Sequence, residues 1–278
     1  MHAQNSALGY SGSNSGGRLV IEDSVWDHNR AGIVPNSLAN DDLPSPQDGA
    51  CPDDPTASCT IIRNNLVFSN DNPNVPSLGL TAVAPIGTGI ELSGGRNDTV
   101  VGNLVADNGA WGILVHDYPD TSPSEGSPLY CAGGIPGTPT PFGTACYFAA
   151  FGNRVERNLL VRNGGFGNPG NADLADATVP VPVQNCFVRN VAIPGGTPTS
   201  APPSIQDPSV LGSCGEPSPI DTSALLAEIA CAGLGLCFAG ETYPQPTGVV
   251  MLPIPRDLPT MPDPCAGVPA NPWCPGKR

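Results

Sequence analysis

The sequence predicts an all-β fold, a right-handed parallel β-helix solenoid. Three observations predict it: a composition heavy in turn formers, an asparagine phrase that recurs through the first 190 or so residues, and a near-constant coil length once the loops are set aside.

The composition comes first. Of 278 residues, 34 are Gly and 34 are Pro, and only 13% are charged, which argues against a helical globule and for frequent turns. Apolar residues reach 39% and are rich in Val, Ile and Leu, so the chain can bury a core with few aromatics. Net charge is −14 and Lys277 is the only lysine, so no basic stripe exists to neutralise a phosphate backbone, and nucleic acid is excluded as a partner. An acidic surface also repels anionic lipid and polyuronate, unless calcium bridges the like charges. No other cofactor or metal is implied. No apolar run is long enough to span a bilayer. The polar run His2 to Ser6 after Met1 lacks the regions of a signal peptide, so the chain reads as a mature fragment or a gene with a misplaced start.

The repeat comes second. One phrase recurs as Val100 to Asn108 (VVGNLVADN), Ile62 to Asn70 (IRNNLVFSN) and Val155 to Asn163 (VERNLLVRN). Ile21 to Asn29 (IEDSVWDHN) carries Ser24 in the first Asn slot, and Phe187 to Val191 (FVRNV) begins another copy. A Gly-Ile phrase follows at Gly32-Ile33, Gly89-Ile90 and Gly112-Ile113, with strand-like alternation after it. Setting aside the loops 38 to 58, 71 to 88 and 118 to 151 leaves 20, 20 and 21 residues between successive first slots, a constant coil.

Coils of constant length bring equivalent residues into register at the ~4.8 Å strand spacing. Asn65, Asn103, Asn158 and Asn190 then form one inward ladder at a bend, and Asn29, Asn70, Asn108 and Asn163 a second. A satisfied amide bond contributes about 0.5 to 1.5 kcal/mol and a buried unpaired amide costs about 1 to 3, so such a ladder is stable only while unbroken. The plain alternative, ordinary turn asparagines, does not require a fixed offset of five residues with apolar pairs between.

With these phrases in place, residues 18 to 190 resemble the right-handed β-helix repeat family that includes the NosD-like and pectate-lyase-like proteins. Ala172-Asp173-Leu174-Ala175 with Asn185-Cys186-Phe187 is similar to secreted bacterial β-helix proteins without assigned activity. The resemblance implies the solenoid and a range of functions, from lyases and hydrolases to adhesins. The calcium carboxylates and lysine-arginine pair of the pectate lyases do not recur here, nor do the polygalacturonase motifs, so no catalytic role transfers. A NosD-like part in metal-centre maturation would call for clustered ligands, and the three His and three Met are scattered.

Ten cysteines, largely in loop-like stretches, read as disulfides and therefore as export. Short separations suggest Cys51 with Cys59, Cys131 with Cys146, Cys231 with Cys237 and Cys265 with Cys274, leaving Cys186 and Cys214, although the count alone allows other pairings. The solenoid is expected over residues 1–193, and a Pro-rich, disulfide-containing extension over 194–278. Within the extension, Asp221 to Ala232 reads as a helix whose apolar stripe covers the open end of the last coil, or else a partner. From Tyr243 onward the tail is expected to lie extended along the surface or be mobile.

Chemistry is expected in two places. The slot before the second Asn carries His28, Ser69, Asp107 and Arg162, an exposed row with the residue types of a general base, an acid and an anion clamp, or else four solvated positions with no shared task. His116, Asp117 and Asp120 sit where a coil becomes a long loop, and Asn40, Asp41 and Asp42 offer further carboxylates or a polar turn. Two functions follow: an extracellular or cell-surface module, carbohydrate-binding or structural, and alternatively a polysaccharide lyase, hydrolase or epimerase working in a loop-walled groove.

Overall fold

The computed structural model describes residues 1–13, 19–38, 59–76, 83–121, 131–140, 143–178, 185–211, 214, 223–237, 240–247, 263, 265–267, 269–272 and 274. These fall in two compact units, Met1–Thr247 and Gly248–Arg278. In the second, the Cys265–Cys274 disulfide closes a short turn in which the Ala266 N–H donates to the Asp263 carbonyl at 2.9 Å.

The first unit is built from short strands in passes. The first pass contributes β1 (His2–Gln4) and β2 (Leu8–Ser13), and the second β3 (Val20–Glu22), β4 (Val25–Asp27) and β5 (Ala31–Asn36). The third is β6 (Ile61–Arg63), β7 (Leu66–Phe68) and β8 (Thr88–Ser93), and the fourth β9 (Thr99–Val101), β10 (Leu104–Ala106) and β11 (Trp111–His116). An insertion follows, β12 (Tyr118–Asp120), β13 (Ile135–Thr140) and β14 (Gly143–Phe148), paired antiparallel in the order β12-β14-β13. The fifth pass is β15 (Arg154–Glu156), β16 (Leu159–Val161) and β17 (Ala172–Ala177), and the sixth β18 (Cys186–Val188), β19 (Val191–Ala192) and β20 (Ser200–Ala201). Two helices follow, α1 (Pro208–Leu211) and α2 (Ser223–Leu234).

The first pass adds one strand to each of two parallel sheets, and every later pass one to each of three. The first sheet runs β3-β6-β9-β15-β18, the second β1-β4-β7-β10-β16-β19, and the third β2-β5-β8-β11-β17-β20. The register is residue on equivalent residue: Val67 lies beside Val105 and Val105 beside Leu160. Ile62, Val67, Val100, Val105, Ile113, Leu160 and Leu174 are fully buried in one core drawn from all three sheets.

Asparagine columns stand at the bends. In the first, the backbone N–H and Nδ2 of Asn65 both donate to Asn103 Oδ1, at 2.9 and 3.0 Å, and Asn103 and Asn158 repeat this to Asn158 and Asn190. The second runs Asn29, Asn70, Asn108, Asn163 and closes on Asp173 Oδ1. A third, Thr60, Asp98, Asn153 and Asn185, lies between the insertions and the first sheet. The Gly of the Gly-Ile phrase has a steric reason: a Cβ on Gly32 would lie 2.4 Å from the Gly89 carbonyl oxygen, and one on Gly89 2.6 Å from that of Gly112.

The C-terminal part departs from expectation in two ways. Helix α2 lies on the outer flank of the third sheet, where Leu225 and Ile229 join Ile86, Trp111, Leu114 and Ala175 from three successive passes, so it covers a face and not an end. The buried Arg30 guanidinium fastens its last turn, donating to the carbonyls of Ala232 and Gly233 at 3.2 and 3.0 Å. Tyr243 is also buried, its ring stacked at a tilt near Trp111, because the side of the third sheet offers an apolar surface that a solvated tail would leave exposed.

Four disulfides lie wholly among the described residues: Cys131–Cys146, Cys186–Cys214, Cys231–Cys237 and Cys265–Cys274. Cys59 is also disulfide-bonded, and Cys51 lies outside the described residues. Among the described residues no helix is long and apolar enough to cross a membrane.

Candidate functional site

The row before the second Asn slot is shaped by its backbone. His28, Ser69, Asp107 and Arg162 have φ of 54°, 52°, 53° and 52°, so each occupies a left-handed bend. That bend sends the next residue, the ladder Asn, inward and leaves the side chain before it on the surface.

Two members of the row neutralise each other. Arg162 Nε and Nη2 fork onto Asp107 Oδ1 and Oδ2 at 2.8 and 2.7 Å, with the side chains 72% and 40% exposed. His28 stands at the other end, its Nδ1 2.6 Å from Asp27 Oδ2 and its ring edge-on to Phe68. His2 Nε2 holds the other oxygen of Asp27. Burial pushes the Asp27 carboxyl upward, but the two histidines outweigh it and leave it below the ordinary carboxylate value.

Beside the Asp107–Arg162 pair lies an open depression of about 240 Å³. Asp71 from the third pass, Asp107 from the fourth, and Arg162 and Phe166 from the fifth surround it. Burial, the largest influence, and the nearby Asp107 charge raise the Asp71 carboxyl above its ordinary value, against its own backbone hydrogen bond and the His28 charge. Phe166 lies across Gly109, where a Cβ would meet the ring at 2.2 Å, and its N–H donates to the Gly109 carbonyl at 2.7 Å. The ring is braced edge-on by Tyr243 at 5.9 Å. Asp71 and Phe166 were not among the sequence candidates; the signal was the run Gly164-Gly165-Phe166-Gly167 directly after a ladder asparagine.

His116 and Asp117 are brought together, but in the interior. His116 Nε2 faces Glu91 Oε1 at 2.8 Å and its Nδ1 donates to the Asp117 carbonyl at 2.7 Å. The Asp117 carboxylate accepts the Ala150 N–H at 2.7 Å and the Tyr147 hydroxyl at 2.6 Å. Burial works against charge on His116, but the hydrogen bond and charge of Glu91 outweigh it and raise the imidazole above its ordinary value. Glu91, His116, Asp117 and Asp120 are each 4% exposed or less, because the insertion folds back over them. This cluster fastens β12 and β14 to the third sheet and presents no group to solvent.

The structure therefore divides the sequence candidates. Asp107 and Arg162 share one surface site with Asp71 and Phe166, His28 lies further along the row, His116 and Asp117 form a buried latch, and Asp120 is buried at the end of β12. Asn40, Asp41 and Asp42 lie outside the described residues. Among known proteins no family model, curated protein or solved structure matches the chain.

Proposed function

We propose that the chain is an exported right-handed β-helix solenoid, akin to the NosD-like and pectate-lyase-like proteins, that binds neutral carbohydrate at the Asp71–Asp107–Arg162–Phe166 depression. The observation that carries this reading is the convergence of two carboxylates, a guanidinium and an aromatic ring from three consecutive passes on one open concavity. Carboxylate and guanidinium offer planar pairs of acceptors and donors that match adjacent sugar hydroxyls, and the ring offers an apolar floor. A net charge of −14 disfavours polyuronates. Export rests on the four disulfides.

Binding without turnover is favoured because both oxygens of Asp107 are held by Arg162. A group so engaged is a poor proton carrier. One observation favours glycosidic cleavage as the second reading: Asp71, with its carboxyl raised, lines the same depression as Asp107, a pair of carboxyl groups on one concavity.

Titrating neutral oligosaccharides into the protein, while assaying reducing ends and unsaturated products, separates the two. Saturable binding lost in Arg162→Ala with no product supports the module. Product formation lost in Asp71→Asn supports the enzyme, and no binding by any neutral glycan sinks both.

A further inference from the structure

Among the described residues the outer face of the second sheet is largely apolar and carries no helix or further strand. In its short strands the middle side chain, such as Trp26, Val67, Val105 or Leu160, enters the core, so the first and third face outward. Register stacks Val25, Leu66, Leu104, Leu159 and Val191 into one outward column. Phe68, Ala106 and Val161 continue a second beside it, which carries the buried Asp27 in the second pass. Leu159 and Val191 are 44% and 42% exposed, the others are partly buried, and the His28 ring stands edge-on to Phe68.

Polar residues rim this strip on both sides, in left-handed bends. On the side opposite the His28 row the rim reads Asp23, Asn64, Gly102, Arg157 and Arg189 in successive passes, each with φ between 49° and 66°. An apolar strip with a polar rim is the anatomy of a protein interface. The rim is also graded in charge, from a carboxylate in the second pass to guanidinium groups in the fifth, where Arg157 lies 3.5 Å from Glu156, and in the sixth. Among the described residues neither Asp23 nor Arg189 makes an ion pair.

Such a gradient is complementary to its own reverse. Two copies facing each other, related by a two-fold axis along the middle strand β10, set Asp23 against Arg189 of the second copy and Asn64 against its Arg157. Glycine then meets glycine at position 102 on the axis, and on the opposite rim Asp107, held by Arg162 of its own copy, meets its counterpart. A two-fold contact is the commonest closed symmetry and needs one self-complementary patch. A neutral glycan or a lipid surface would make no use of the gradient. We propose that the protein forms a symmetric dimer through the outer face of the second sheet, with the two stacks antiparallel and Asp23 of each copy against Arg189 of the other.

Sedimentation velocity on the full chain, over a range of concentration and salt, tests this independently of glycan binding. A dimer is expected that weakens with salt and is lost in Leu104→Asp, with circular dichroism and melting temperature unchanged. Asp23→Arg and Arg189→Asp should each weaken self-association about tenfold. Mixing these two variants should restore a dimer, because each then supplies the charge the other lacks. A monomer up to the solubility limit overturns the proposal, as does a dimer indifferent to Leu104→Asp or a mixture that fails to pair. A monomer whose Leu104 face instead binds a neutral polysaccharide or zwitterionic vesicles also overturns it.

Discussion

Gln206 accepts at a single Oε1 both the backbone N–H and the Nδ2 of Asn190, at 2.8 and 3.0 Å, and returns its own Nε2 to the Asn190 carbonyl at 3.1 Å. It thereby fills the slot that a further ladder asparagine would take, although it lies outside the repeat phrase. Ile205 beside it joins the core in the same way.

Gln206→Ala should therefore lower stability by about 1–3 kcal/mol, the cost of leaving the Asn190 donors unsatisfied. Asn103→Ala should cost more, since five side-chain hydrogen bonds meet at that amide. Denaturant midpoints of the two variants check the order; a Gln206→Ala protein as stable as the parent would show that the slot is not energetically closed by this residue.

Stability should rise on acidification from pH 8 to pH 5. Burial first, with the Asp117 charge adding, raises Asp176 from 3.8 to about 6 against hydrogen bonds from Thr178 and Asn185. The folded chain thus binds this proton more tightly than the unfolded one, so the buried charge costs about 3 kcal/mol above pH 6, relieved as pH falls from about 6 toward 4. His116, raised above 6.5, adds stability that is full below that value and is lost as pH climbs through the raised one. Melting temperatures measured across this window should climb toward acid in the parent and much less in Asp176→Asn.

On the proposed reading of the depression as a glycan site, Gly109→Ala should reduce glycan affinity about tenfold while sparing the fold. The new methyl would intrude on the Phe166 ring, which is half-exposed and can swing away from Tyr243. Calorimetric titration beside a thermal melt distinguishes the outcomes: a large drop in melting temperature would mean that Phe166 serves the core.

Replacing Cys131 and Cys146 by Ser should loosen the insertion. The bridge closes a separation of 15 residues, for which chain entropy predicts about 3 kcal/mol. Limited proteolysis should then cut within 118–148 before the rest of the chain, and an unchanged cleavage pattern would show that the Glu91–His116–Asp117 latch suffices alone.

The first two columns were legible because both carry Asn in successive copies at a fixed offset of five. The third was not, since its slots hold Thr60, Asp98, Asn153 and Asn185, although each lies five residues before a first-column asparagine. Asp173 and Gln206 escaped notice because they enter their slots from outside the phrase. Asp107 and Arg162 were legible as row neighbours, but not as a pair that cancels its own charge. His116 and Asp117 read as a loop mouth; a single sequence does not reveal that the loop returns as strands and seals them in. Phe166 and Tyr243 meet only through tertiary packing, to which periodicity is blind.

The amide columns have a direction. Every carboxamide turns its oxygen toward the preceding pass and its nitrogen toward the next. The aligned dipoles add, as peptide units do in a helix, but with side chains and in the reverse sense, negative toward the first pass and positive toward the last. Asp173, a carboxyl where the interior repeats hold amides, sits at the positive pole of its column and closes it with an oxygen that needs no further donor.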